Sequence, residues 1–179
     1  MRRSLQVVLA LATGLALVGC AGDGGEGEGG RRVALIYKAT TNPFFQAMEQ
    51  GARERAEELG VDLQVAGIES ETDVDRQADL VRNMLNRQVE AMVIAPASSR
   101  GIVTPLLRAQ AGGVPIVNID NRINQEEAEK QGLKVETFIG PDNFEGAKKV
   151  GAYACDLIKK RLGDGQTGRV LIVRGIDGV

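Results

Sequence analysis

The chain has 179 residues, 43% hydrophobic and 26% charged, with 22 Lys and Arg against 24 Asp and Glu and no histidine. That mixture suits one globular domain or two small ones, and a net charge of −2 offers no electrostatic footprint for phosphate backbones, so nucleic acid is not an expected partner. Without histidine the usual general base, the usual zinc ligand and the centre of a Ser-His-Asp triad are missing, so no catalytic residue, metal or cofactor is expected, and the chain does not read as an enzyme.

Residues 1–20, MRRSLQVVLALATGLALVGC, open with Arg2 and Arg3, run apolar from Leu5 to Val18 and end in small residues. This is the layout of a bacterial export signal. A membrane span is the alternative, but the run is short of the roughly 20 residues a span needs and is broken by glycine and alanine. Leu17-Val18-Gly19-Cys20 resembles the lipobox of bacterial lipoproteins. That resemblance implies lipid on Cys20 and an exported protein held at the membrane, facing the periplasm or the cell exterior. Several acyl chains, at about 0.8 kcal/mol per buried methylene, anchor where one chain does not. Residues 21–30, AGDGGEGEGG, read as a flexible linker. With no strand before them, their glycines make no dinucleotide fingerprint.

From 31 to 120 apolar runs alternate with amphipathic ones. VALIY (33–37) suits a strand buried on both faces. Asn42 is a good N-cap with Pro43 behind it at the first helical position. Phe44, Met48, Ala52 and Leu59 then recur at helical spacing until Gly60. A second strand is expected over 62–68, followed by a helix opened by Thr72 or Asp73 whose Val74, Ala78, Val81 and Leu85 share a face. AMVIAP (91–96) gives a third strand. A helix opened near Ser98 or Ser99 carries Ile102, Leu106 and Leu107, and VPIVNI (114–119) gives a fourth strand. Such alternation predicts an α/β fold with a doubly wound parallel sheet.

Residues 121–134, NRINQEEAEKQGLK, are almost wholly polar and read as a hinge crossing and loop. From 135 to 179 a second, similar lobe is expected to begin, with the strand VETFIG, a helix over about 144–162 opened by Asp142 and Asn143, and the strand RVLIVRG (169–175). Cys155 falls near the apolar side of that helix and reads as a buried small residue. Two strands and one helix cannot close a sheet covered on both faces, so the second lobe is expected to be truncated.

Open parallel sheets bind ligands outside the carboxyl ends of their strands, which singles out 38–45, 67–69, 96–99 and 120–122. Asn42, Asp120, Asn121 and Arg122 bring donors and acceptors there, and Phe44 and Phe45 bring ring faces. A monosaccharide or similar polyol presents hydroxyl edges and apolar faces that such a set matches, with Asp120 accepting from adjacent hydroxyls and Asn121 or Arg122 donating. Each residue also has a plainer reading. The phenylalanines fit the apolar stripe of a helix, Asn42 a cap, Asp120 a strand end and Lys38 a solvated loop charge.

TTNPFFQAMEQGARERAEELG, DRQADLVRNMLNRQVEAMVIAPASS, GVPIVNIDNRI and FIGPDNFEGA, in that order, resemble the periplasmic sugar-binding proteins of the ribose and galactose type. These are type I periplasmic binding proteins, solute receptors for ABC importers. The resemblance implies two flavodoxin-like lobes, a hinge crossed three times and a sugar enclosed on closure, with ABC permease subunits as partners. It carries Asn42, Phe44 and Phe45 onto positions that touch or stack on sugar, and Asp120 onto the carboxylate that binds hydroxyls. Ribose receptors have arginine directly after that aspartate, whereas here Asn121 precedes Arg122, which leaves open which of the two reaches the ligand. Lys38 stands where a small polar residue is common and would admit an acidic or differently shaped ligand. Asp142 and Asn143 match the entry to the second lobe. A sensory receptor feeding a chemoreceptor or histidine kinase is the alternative, and a flavodoxin-like enzyme the third. No helix-turn-helix precedes Val33, which disfavours a repressor. The fragment alone is expected to bind sugar weakly or not at all.

Overall fold

A computed structural model describes residues 30–163, 165–173 and 175; the expected export signal, Cys20 and the linker up to residue 29 lie outside them. Five strands, β1 (Arg32–Tyr37), β2 (Asp62–Gly67), β3 (Ala91–Ile94), β4 (Ile116–Ile119) and β5 (Thr137–Ile139), form one sheet in the order β2-β1-β3-β4-β5. Every pairing is parallel. Five helices alternate with them: α1 (Pro43–Leu59), α2 (Val74–Asn86), α3 (Val103–Ala111), α4 (Gln125–Gln131) and α5 (Asn143–Leu162). The chain steps from β1 outward to β2, then recrosses to β3 and continues to β4 and β5. Strand order therefore reverses between β1 and β3, where the loops leaving the two strands part and open a crevice.

Residue alternation along the strands sorts the core onto two faces. Ala34 and Ile36 of β1, Met92 and Ile94 of β3 and Ile116 of β4 pack with Val81 and Met84 of α2, with Val103 and Leu106 of α3 and with Ala128 of α4. Leu35 and Tyr37 point the other way, to Phe45, Met48 and Ala52 of α1. The expected doubly wound α/β fold is the one observed.

Helix ends follow local chemistry. Asn42 Oδ1 accepts from the Phe44 amide at 3.0 Å, and Gly60 at φ 65° ends α1 in the left-handed region, where lack of a Cβ removes the strain. Asp73 Oδ1 caps α2 by accepting from Arg76 N at 3.0 Å. The third helix departs from expectation, starting at Val103 rather than near Ser98. Ser98 Oγ accepts from Gly101 N at 3.1 Å and so closes a turn ahead of the helix, and Ile102 stands at the cap position with no side-chain bond.

Four further departures concern the second half. The polar run 121–134 is not a bare crossing. Asn124 caps α4 by accepting from Glu127 N at 2.8 Å, and Ile123, Ala128 and Leu133 enter the first core, which is enough apolar surface to seat one short helix. VETFIG supplies β5, which pairs with β4 through Val117 with Thr137, Asn118 with Phe138 and Ile119 with Ile139. It therefore extends the first sheet instead of starting another. RVLIVRG forms no strand among the described residues; Val170 to Val173 stand exposed, with no neighbour to supply a ladder. Helix α5 buries none of its residues, so Cys155 is exposed, as are Phe144, Val150 and Tyr153.

Candidate ligand-binding site

The carboxyl ends of β1, β2 and β4 converge on a hollow of about 530 Å³ lined by Lys38, Asn42, Phe44, Phe45, Glu71, Asp120, Asn121 and Gly175. A second hollow of about 670 Å³ adjoins it across Asp120 and Asn121, with Ser99, Arg122, Phe138 and residues 140–143 around it.

Asp120 directly follows β4, in the left-handed region at φ 61°. Its amide still extends the ladder, donating to Ile139 O at 3.0 Å. What holds this uncommon backbone is Asn118, a fully buried amide two residues earlier. Its Nδ2 donates to Asn121 O at 2.8 Å, and its Oδ1 accepts from Ile123 N at 2.9 Å, so one side chain ties the loop that follows Asp120 back to β4. Gln77 of α2 does the same for the loop after β3, donating to Ala95 O at 2.9 Å and accepting from Ala97 N at 2.8 Å. Gly140 permits the close approach of β5 to this loop, since a Cβ there would lie 2.5 Å from the Phe138 ring and 3.1 Å from Asp120 O.

Lys38 is not a solvated loop charge; its side chain is 3% exposed, with Nζ 3.9 Å from Asp120 Oδ2 and 4.0 Å from Glu71 Oε2. Both distances exceed hydrogen-bond length, so neither carboxylate takes a hydrogen bond from the ammonium. Burial lowers the Lys38 pKa despite the pull of Asp120 and Glu71. Burial likewise raises that of Asp120, against the pull of Lys38 and with a further push from Glu71. Desolvation outweighs attraction at both groups, even though Asp120 also accepts a hydrogen bond from the Asn121 backbone.

The two phenylalanines part company. Phe45 is 3% exposed, stacked on Tyr37 at 6.0 Å between centroids and meeting the Phe44 ring edge-on at 5.1 Å. Phe44 is 50% exposed and is the ring that offers a free face. Tyr37 donates its hydroxyl to Glu49, and burial with that bond pushes its pKa up to about 12.

The first hollow thus gathers Lys38, Asn42, Phe44, Asp120 and Asn121, with Phe45 mostly beneath it. Arg122 faces the second hollow, its guanidinium 3.8 Å above the Phe138 ring, and Asn143 lines the same hollow from the start of α5. Glu71 was not singled out from sequence, whereas Ser99 falls in the singled-out segment 96–99. The signal for Glu71 was its place in the loop leaving β2, two residues before the Asp73 cap. Asn118 could have been found as an amide inside an apolar strand, where it must have buried partners. Among the described residues no three histidine, cysteine or carboxylate groups converge to hold a metal ion. Paired acceptors, an ammonium with free donors, an amide and an open ring face can together bind adjacent hydroxyls and cover an apolar C–H face.

Residues 33–179 match the periplasmic binding protein domain. The D-ribose/D-allose-binding protein of Pseudomonas aeruginosa is 38% identical over 149 residues, covering 81% of this chain and 44% of that protein. An ABC transporter solute-binding protein from Burkholderia multivorans superposes with a TM-score of 0.69 at 40% identity, covering 72% of this chain and 46% of its own. Another, from Actinobacillus succinogenes 130z and solved with bound D-allose, gives 0.64 at 32% identity, over 74% and 45% of the two chains. The chain spans less than half the length of these relatives.

Proposed function

We propose a function from one premise: the chain belongs to the periplasmic binding protein domain family. Its role is to supply one wall of a sugar-binding cleft in the substrate-binding subunit of an ABC importer, with a monosaccharide or similar polyol as guest and the permease subunits as partners. The observation that carries this reading is the hollow at the topological switch of the sheet, where Lys38, Asn42, Phe44 and Asp120 meet. Asp120 accepts from two adjacent hydroxyls, Lys38 and Asn42 donate to others, and Phe44 covers a C–H face of the ring. Arg122 and Asn143 border the adjoining hollow, where they meet whatever part of the guest extends past Asp120, away from Lys38. Nothing in this set activates a nucleophile or shuttles a proton between matched groups, so the role is binding without turnover. The residues before the described ones add export by the leader and tethering by lipid on Cys20, which places the cleft at the outer face of the cell membrane.

The test is calorimetric titration of the full-length protein with aldopentoses and aldohexoses, ribose and allose among them. Saturable one-to-one binding in the micromolar range or tighter is expected. Absence of both heat and a ligand-induced rise in melting temperature with every monosaccharide refutes the reading.

A further inference from the structure

A lysine in the floor of a sugar cleft suggests a site for acidic sugars, yet its surroundings argue the opposite. Lys38 Nζ stands 3.9 Å from Asp120 Oδ2 and 4.0 Å from Glu71 Oε2, so one cation faces two anions in the same hollow. Arg122, the nearest further cation on the loop, is drawn off to the Phe138 ring at 3.8 Å and lines the neighbouring hollow. Among the described residues lining the hollow, the charge facing a guest beside Lys38 therefore sums to −1. Glu71 supplies the excess from the rim, its side chain 38% exposed, while Lys38 and Asp120 balance one another deeper down.

We infer that Glu71 is a charge-selecting residue of this hollow, admitting uncharged polyols and turning away the carboxylated forms of the same sugars in spite of Lys38. The inference rests on the sugar-binding function proposed above and specifies what kind of sugar that site accepts. Its physical basis is Coulombic: a guest anion placed against Lys38 gains one attraction and meets repulsion from the two carboxylates that flank the ammonium, in a partly desolvated space where unit charges are weakly screened. Geometry alone does not exclude a carboxylate, because the hollow of about 530 Å³ has room for the few extra atoms.

The test uses two derivatives alike in shape and different in charge, the uronate and the uronamide of whichever monosaccharide the full-length protein binds most tightly. Competition titration should show the uronamide bound at least about tenfold more tightly than the uronate, the scale expected for one unbalanced unit charge at short range. Raising ionic strength to about 0.5 M should narrow that gap, since a screened charge loses reach. Glu71→Gln should reduce the gap about tenfold, and Glu71→Asp, which restores the charge, should reinstate it.

A uronate bound as tightly as the uronamide overturns the inference while leaving sugar binding intact. So does a uronamide excluded as strongly as the uronate, which makes the barrier steric, and so does a Glu71→Gln variant with an unchanged ratio. The salt dependence of the unmodified protein decides the matter should that variant fail to fold. A protein that binds no monosaccharide at all removes the proposed function and this inference with it.

Discussion

Truncating the adjacent phenylalanines one at a time separates the ring that builds the fold from the ring that awaits a guest. Phe45 is 3% exposed and packs against Tyr37 and Phe44 on the α1 face of the sheet. Phe45→Ala therefore removes a full core side chain and leaves a cavity, at a cost of about 3–5 kcal/mol. In urea denaturation this appears as a lower midpoint, and in thermal melts as a fall of roughly 6–20 °C for a chain of this size. Phe44 is 50% exposed, so about half its burial value, on the order of 1 kcal/mol, is lost on truncation. The face still in water is the one a sugar ring would cover. Covering it is worth about 1–1.5 kcal/mol, so Phe44→Ala should weaken sugar binding about tenfold in calorimetry with a melting temperature within a few degrees of the parent. Equal losses of stability from the two variants, or unchanged affinity in Phe44→Ala, would refute this division of labour.

Two further perturbations probe the loop that carries the carboxylate. Asn118→Ala strips partners from Asn121 O and Ile123 N, and leaving one buried and one partly buried backbone group unpaired should cost about 1–3 kcal/mol. Amide exchange at Ile123 should quicken in parallel; unchanged exchange there would mean that the loop is held by something else. Asp120→Asn should cut sugar affinity about a hundredfold, the worth of its charge-assisted bonds, while leaving the unliganded melting temperature at pH 7 equal or higher. Burial holds the Asp120 carboxyl above its ordinary range, so in the window just above the unfolded value the folded state carries more protons than the unfolded one. The contribution of this group to stability accordingly falls as pH rises through that window. The substitution removes a carboxylate that costs stability at neutral pH and leaves Lys38 paired with Glu71. A drop of more than about 5 °C in the unliganded variant would count against that sign.

The legibility of the chain depended on how much apolar surface each element buries. VALIY, AMVI and IVNI announce strands because both of their faces are covered, and Asn42, Asp73, Asp142 and Gly60 mark helix ends through bonds made within a few residues. Local signals failed where long-range pairing decides the outcome. VETFIG has the composition of a strand, but whether it joins β4 or starts another sheet is set by register against Ile116–Ile119, which nothing inside six residues encodes. NRINQEEAEKQGLK hides a helix because three apolar residues, Ile123, Ala128 and Leu133, suffice to seat seven helical ones. RVLIVRG and the apolar side of α5, Cys155 included, were assigned to a core by composition. Burial, though, is a property of partners, and none of α5 is buried among the described residues.

The site divides the same way. Residue types at the strand ends were readable, because chain reversal confines ligand groups to that edge whatever the sequence. Electrostatic state was not, since it arises from side chains brought together from three separate loops. Lys38 in isolation is a loop lysine; enclosed with Glu71 and Asp120 it becomes a desolvated ammonium whose attraction to two carboxylates does not offset its burial. The Asn118 clamp holds the loop that carries Asp120 in a left-handed turn, which sets where its carboxylate leaves the backbone. The fold thereby holds the Lys38 ammonium and the Asp120 carboxylate beyond hydrogen-bond reach of one another, and a guest hydroxyl that bridges them would make hydrogen bonds they do not make to each other. On the proposed sugar-binding reading affinity and instability share one origin, and substitutions that relieve the Lys38–Asp120–Glu71 cluster should weaken sugar binding.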